Sequence, residues 1–428
     1  IGIPLYAVKE VAKYRDDRIQ RDKTTIEIVC LSTILCLLGY ICVWILAKYV
    51  PQIHQQASLF YILSLSIIFT GIGVNWFYQG IEDFKYITIR AIIIRTLSAV
   101  ALFIFVKDSS DLLIYGYILV GSTVGNNFIN FIHLRKHISF QSLNLKNLRI
   151  YRHLKPALHI FILNLIISLY VQLNSVMLGF LSNEEAVGYF TAGTKISHIG
   201  LAVIGSIATV MLPRCSHLLK IGKVIEFNSM INKSLNLTLA LAIPMTIGLM
   251  ILATPITIIF CGNEYYDAIP VLLLNAPVVI FISLTNLMGI QILYPKDKIN
   301  IVIWSVSGGA VINIILNYIL IPPYEATGAA ISTLIAEFTV LLIQIFYGRK
   351  YFPFKIVKIL NPTYIVGSLI MGIVTFCSII GINTLITKLL VGVSVGIIVY
   401  STYLIFIKDP LMKEAKCFII NVIGHARN

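Results

Sequence analysis

Charged residues near the middle of long apolar stretches include Arg95, Lys195 and Glu337. A charge at mid-span in a bilayer costs about 2.5–3.5 kcal/mol on insertion scales, so one that persists has a partner or a function. At helical spacing Arg95 shares a stripe with Thr88, Ala91 and Ser98. Lys195 shares one with Thr191, Ala192, His198, Ala202 and Thr209. Such small and polar stripes suit either a wet cavity or close helix packing; snorkelling to the interface is the alternative. Basic charges in a polar interior would attract an anionic headgroup such as a pyrophosphate. Glu337 has Ala330, Thr333 and Gln344 on its side. It fits a proton or cation site, an ion pair with a base, or a structural hydrogen bond.

Side-chain amides are numerous in the same stretches: Asn75 and Gln79; Asn126, Asn127 and Asn130; Asn164, Gln172 and Asn174; Asn286 and Gln291; Asn313 and Asn317. Asn164, Ser168, Gln172 and Ser175 follow one helical stripe, and Asn313 and Asn317 another. A single amide usually bonds across helices. Together they make a polar interior that could admit sugar hydroxyls. Asn75, Gln79, Asn164, Gln172, Asn174 and Asn313 join Arg95 and Lys195 as candidate substrate contacts, with Glu337 as the candidate ion-coupling residue.

Enzyme chemistry finds no such support. His133 and His137 have i,i+4 spacing but sit with Arg135 and Lys136, with no acidic or third ligand near, so a metal site is not expected there. The seven cysteines, Cys30, Cys36, Cys42, Cys215, Cys261, Cys377 and Cys417, form no C-x-x-C and mostly lie in apolar runs. They read as small buried hydrophobes. No Walker loop, G-x-S-x-G or G-x-G-x-x-G is present. We expect no catalytic residue, metal or cofactor, and ATP-driven transport would need a separate subunit.

The elements that must position these residues are long helices. Of 428 residues 58% are hydrophobic and 12% charged, about half the charge of a soluble domain. Apolar runs of the roughly 20 residues needed to span a bilayer recur throughout. Twelve spans are expected, at 24–47, 57–79, 86–106, 112–134, 156–181, 187–212, 234–260, 269–293, 300–320, 326–348, 361–382 and 388–407. The formal net charge of +14 does not mark a nucleic-acid binder, because the basic residues lie in short clusters between apolar runs. Alternate connections, 9–23, 80–90, 135–155, 214–233, 295–298, 349–358 and the tail from Lys408, hold 28 of the 33 Lys and Arg. By the positive-inside rule these are cytoplasmic, which places both ends of the chain there. No connection is long enough to hold a soluble domain, so function must lie among the helices.

A repeat is suggested by Pro4 and Pro213, each expected to close a helix before a basic loop and a new span. Downstream, Asn75 to Lys85 and Asn286 to Lys298 each end a span with amides and a charged turn. Two parallel six-helix halves would give this pattern. The opening Ile1-Gly2-Ile3-Pro4 has no initiator Met and no signal pattern, and suggests a fragment with at least one span missing.

The stretch Gly2-Ile3-Pro4-Leu5-Tyr6 with Lys9-Glu10-Val11-Ala12-Lys13 resembles the end of the second helix of O-antigen (Wzx-type) flippases. Asn75-Trp76-Phe77-Tyr78-Gln79-Gly80 through Arg90 resembles their fourth and fifth helices. Met177-Leu178-Gly179, Glu184, Val187-Gly188-Tyr189 and Lys195-Ile196 are similar to their seventh-to-eighth turn, and Leu212-Pro213-Arg214 and Gly328-Ala329-Ala330 through Glu337 also fit. These flippases form a polysaccharide-transporting branch of the multidrug/oligosaccharide-lipid/polysaccharide exporter superfamily. The resemblance implies an all-α polytopic membrane protein: two six-helix lobes around a central cavity, 1–140 and 141–350, plus two extra C-terminal helices and a tail in 351–428. The first helix and most of the second would be absent.

It further implies a bacterial inner-membrane flippase that moves an undecaprenyl-pyrophosphate-linked oligosaccharide to the periplasmic leaflet by alternating access. Membrane lipids, a polysaccharide polymerase and a chain-length regulator would be partners, and nucleic acid would not. Arg95 and Lys195 match positions where the family carries basic residues. Many relatives have an acidic and then a basic residue where this chain has Asn174 and Ser175, which puts ion antiport through that site in doubt. The alternative is an exporter of another cargo, a drug or a different lipid-linked glycan.

Overall fold

The computed structural model describes residues 2–49, 57–108, 111–138 and 148–412. The 139–147 part of the expected 135–155 loop, the tail beyond Met412 and Cys417 lie outside the described residues. All described elements are helical. They are α1 Ile3–Lys13, α2 Arg18–Tyr49, α3 Ala57–Gly71, α4 Asn75–Gly80, α5 Phe84–Phe105, α6 Leu112–Leu134, α7 Leu154–Leu181, α8 Glu184–Lys220, α9 Val224–Ile251, α10 Ala253–Cys261, α11 Ala268–Asn275, α12 Val278–Asn286, α13 Ile299–Gly348, α14 Pro362–Ile379 and α15 Leu385–Phe406. Short 3₁₀ turns and a π-helical turn, Leu287–Leu293, join them.

Ten stretches among the described residues are long and apolar enough to cross a membrane. The longest contains α13, which is two helices in one run. Pro322 and Pro323 lie inside it, and Glu325 takes φ 48°, ψ −126°. Two consecutive prolines remove two amide donors and crowd the preceding turn, so the helix breaks where the sequence separates spans 300–320 and 326–348. Counting both halves, and adding the 23 residues of α6, which contain no Asp, Glu, Lys or Arg, recovers the expected twelve.

Two expectations need correction. Pro213 does not close a helix: it lies inside α8, which continues to Lys220. Pro4 stands in the first turn of α1, where its missing N–H has no intrahelical acceptor to lose. The basic connections 9–23 and 214–233 are accordingly mostly helix, with turns only at 14–17 and 221–223. Lys, Arg and Glu are good helix formers, so nothing in those stretches stops a helix from continuing past the apolar core.

The chain forms two compact units, Ile1–Asn164 with Leu212–Gly222, and Leu165–Met211 with Lys223–Asn428. In the first, α1 buries Tyr6, Ala7, Val8, Val11 and Ala12 and packs on α4 and α2. It packs closely: a Cβ on Gly80 would come within 2.7 Å of Val11. Asp83 caps α5, its carboxylate accepting from the Tyr86 N–H at 3.2 Å. Helix α2 packs on α3, α3 on α6, and α5 on α6.

In the second unit, Leu178, Ala186, Phe190, Val271, Ile321 and Ala329 form one buried cluster. Helix α9 sets Ile231, Leu235, Leu239 and Ala242 inward and contacts α12 and α14. Asn361 caps α14 by accepting from the Thr363 N–H at 3.1 Å, with Pro362 at the first helical position. Helices α14 and α15 pair extensively.

Candidate functional site

The second unit gathers polar side chains where α7 meets the two halves of α13. Asn174, Asn313 and Asn317 are 4%, 0% and 0% exposed. The Asn317 Nδ2 donates to Asn174 Oδ1 at 2.7 Å and to Asn313 Oδ1 at 3.2 Å. Asn174 Nδ2 donates to Thr333 Oγ1 at 3.3 Å, and Thr333 donates to the Ala329 carbonyl at 2.8 Å. The break at Glu325 makes this possible, because it turns the half carrying Thr333 back alongside the half carrying Asn313 and Asn317. Asn313 Nδ2 and Asn317 Oδ1 have no hydrogen-bond partner among the described residues. A second buried layer pairs Gln344 with Ser305 at 3.1 Å, and Ser234 with Gln291 at 2.6 Å.

Beside the amides lies a cavity of about 50 Å³ lined by Asn174, Ser197, His198, Asn275, Thr333 and Glu337, among others. A water needs roughly 10–15 Å³ measured this way, so the cavity has room for a few waters but not for a sugar ring. Glu337 is buried, 8% exposed, in this polar setting. The sequence stripe that joined Glu337 to Thr333 therefore holds in three dimensions, and Asn174 is brought to the same cavity from another helix.

The other expected contacts are placed apart from this cluster. Lys195 is on α8 between Thr194 and Ser197, which line the cavity, but is itself exposed. Asn164 and Gln172 are exposed on α7, and Arg95 is exposed at the middle of α5. Neither Arg95 nor Lys195 forms an ion pair among the described residues. Asn75 opens α4, and its Oδ1 accepts from Arg90 Nη2 at 3.0 Å; Gln79 is half-buried one turn on.

The His133–His137 pair is absorbed in an aromatic stack. Tyr86 and His133 are stacked at 4.2 Å between ring centroids, His133 and His137 lie edge to face at 5.2 Å, and Tyr78 packs on both. Burial, reinforced by the neighbouring His133, holds the His137 imidazole below its usual pKa. It is therefore neutral near pH 7.

Sequence reasoning missed one buried ionic cluster. Glu27 of α2 is 0% exposed and meets Arg152 at 2.6 Å, His153 Nε2 at 2.8 Å and the Arg149 N–H at 2.7 Å. The Tyr6 hydroxyl reaches His153 Nδ1 at 2.6 Å. The signal was an acidic residue inside an expected span, with its partners about 125 residues away.

Among the described residues, the long apolar helices define an all-α polytopic membrane protein. The fold is shared with the lipid II flippase MurJ in an inward closed conformation (TM-score 0.66, 18% identity, covering 96% of this chain and 93% of that one). It is shared also with an outward-facing multidrug resistance MATE family transporter of the MOP superfamily (TM-score 0.71, 15% identity, 82% of each chain). Residues 1–219 match the polysaccharide biosynthesis protein family, and the chain belongs to that family. A candidate O-antigen transporter of Escherichia coli (strain K12) is 26% identical over 356 residues, 82% of this chain and 84% of that protein.

Proposed function

We propose that this protein is a flippase that carries an undecaprenyl-pyrophosphate-linked oligosaccharide, an O-antigen-type repeat unit, from the cytoplasmic to the periplasmic leaflet of the inner membrane by alternating access. The observation that carries this reading is membership of the polysaccharide biosynthesis family, joined to an O-antigen-transporter relative that matches four-fifths of the chain. Both ends of the chain lie in the cytoplasm in this reading, lobes 1–140 and 141–350 do the moving, and 351–428 is appended. A polymerase and a chain-length regulator act downstream.

Arg95 and Lys195 contact the pyrophosphate. Each is an exposed cation well inside a long apolar helix, a position expensive enough to need water or an anion beside it. Glu337, buried beside Asn174 and Thr333, is the candidate for ion coupling. The cavity there is too small for glycan.

The test is complementation of bacteria that lack their own flippase and make the cognate lipid-linked unit. Surface polymer should return with the complete protein and be lost with Arg95→Ala and with Lys195→Ala at matched membrane levels. Normal polymer with both variants would make those residues structural. No polymer with the well-inserted wild type would move the reading to an exporter of another cargo.

A further inference from the structure

Between α13 and α14 the chain reads Lys355-Ile356-Val357-Lys358-Ile359-Leu360, a lysine and two large apolar residues, twice over. The structure gives this stretch the matching period. Ile356–Leu360 is a 3₁₀ helix, and the Lys358 N–H donates to the Lys355 carbonyl at 2.9 Å. With three residues per turn, positions i and i+3 share a face. Ile356 and Ile359 therefore fall on one face, Val357 and Leu360 on a second, and Lys358 on the third, with Lys355 leading into it. Ile356 is 37% exposed and Ile359 half-buried, whereas Val357 and Leu360 are 77% and 70% exposed. Both lysines are exposed. The turn thus presents an apolar edge and a cationic edge side by side.

The charge around it is one-sided. No Asp or Glu occurs between Glu337 and Asp409, and Asp409 is buried, accepting from the Tyr364 hydroxyl. Arg349 and Lys350 are exposed just past α13. Lys296 and Lys298 join them at Tyr351: Lys296 Nζ donates to its carbonyl at 2.7 Å, and Lys298 Nζ lies 5.6 Å from its ring. Asp297, between those two lysines, is the acid of that turn. Lys358 reaches a neutral partner, the Asn232 amide oxygen at 3.3 Å. Arg349, Lys350, Lys355 and Lys358 form no ion pair among the described residues. The segment also joins two apolar stretches long enough to cross a membrane, Ile299–Tyr351 and Ile356–Ile379, so it stands where the hydrocarbon layer ends.

We infer that residues 349–360 form an interfacial anchor that binds the anionic headgroups of the bilayer. The phosphoryl oxygens meet Arg349, Lys350, Lys355 and Lys358, while Val357 and Leu360 enter the acyl boundary. The lysine stems lie along the apolar edge and their ammonium groups reach up to the headgroups. A soluble anion would leave Val357 and Leu360 in water. The anchor ties the linker that carries α14 and α15 to the membrane surface. It depends neither on the proposed cargo nor on which leaflet the segment faces.

The test places a bimane probe at Val357→Cys in a cysteine-free full chain. The protein is reconstituted in vesicles of equimolar phosphatidylcholine and phosphatidylglycerol, with one lipid or the other brominated in its acyl chains. Brominated phosphatidylglycerol should quench roughly two- to threefold more than brominated phosphatidylcholine, and the excess should fade in about 1 M salt. Lys355→Gln with Lys358→Gln should remove about half of the excess, and Lys355→Arg with Lys358→Arg should keep it. Equal quenching by the two lipids overturns the anchor, as does an excess unchanged in the glutamine pair. A probe quenched by aqueous iodide and by neither lipid overturns it too, and would turn the segment toward water or a protein partner.

Discussion

Arg90 and Arg95 stand five residues apart on α5, and their surroundings divide them. The sequence singles out Arg95, because it is mid-span, and leaves Arg90 among the basic residues of a connection. In the structure Arg95 is exposed and Arg90 is buried against Asn75 and Tyr86. Which face of a helix meets a neighbour depends on packing that no stripe of small residues reveals, so the buried arginine was illegible. The amides were easier to read. Asn313 and Asn317 sit four apart on one stripe and do bond to each other, while their link to Asn174, 143 positions away, required the fold. Replacing Asn317 by Ala strips the shared donor from two buried carbonyl oxygens. It should lower the unfolding free energy by about 1–3 kcal/mol in detergent-titrated unfolding. Asn164→Ala, at an exposed position, should stay within about 0.5 kcal/mol of wild type. Equal effects would mean that the cluster contributes no stability.

At the scale of elements, apolar run length located nearly every helix, because the bilayer imposes a length that the sequence must meet. Helix ends were less legible. Composition marks where the apolar core stops, whereas hydrogen bonding decides where the helix stops, and α8 carries on through Pro213 to Lys220. The gap expected between spans 300–320 and 326–348 falls at Pro322-Pro323, where the paired prolines break the helix. The tie between α2 and the Ile150–His153 turn could not be foreseen, since nothing near Glu27 in sequence names Arg152 or His153. Removing one partner of a buried pair costs more than the pair contributes. Glu27→Ala should therefore destabilise by about 3 kcal/mol, and adding Arg152→Ala should cost much less than its separate effect. A double-mutant cycle on unfolding measures this; additive effects would mean that the contact carries no energy.

At the scale of the whole molecule, the proposed sidedness rests on the alternation of basic connections. In a cysteine-free background, Asp108→Cys and Asn263→Cys should react with an impermeant maleimide in intact cells. Asp16→Cys and Ile221→Cys should react only after permeabilisation. The opposite labelling would invert the proposed topology and with it the direction of transport. The molecule belongs to the polysaccharide biosynthesis protein family and has the fold of a MurJ-like membrane protein, and the proposed cargo is the claim that matters most. The most direct measurement reconstitutes the complete protein in liposomes with a fluorescent undecaprenyl-pyrophosphate-linked oligosaccharide and follows its headgroup's exposure to an external quencher. Flipping predicts that quenching rises from the outer-leaflet half toward completion in protein-containing vesicles, with Arg95→Ala and Lys195→Ala slowing the rise. Quenching that stops at one half, as in protein-free vesicles, while the reconstituted protein remains folded, would contradict it.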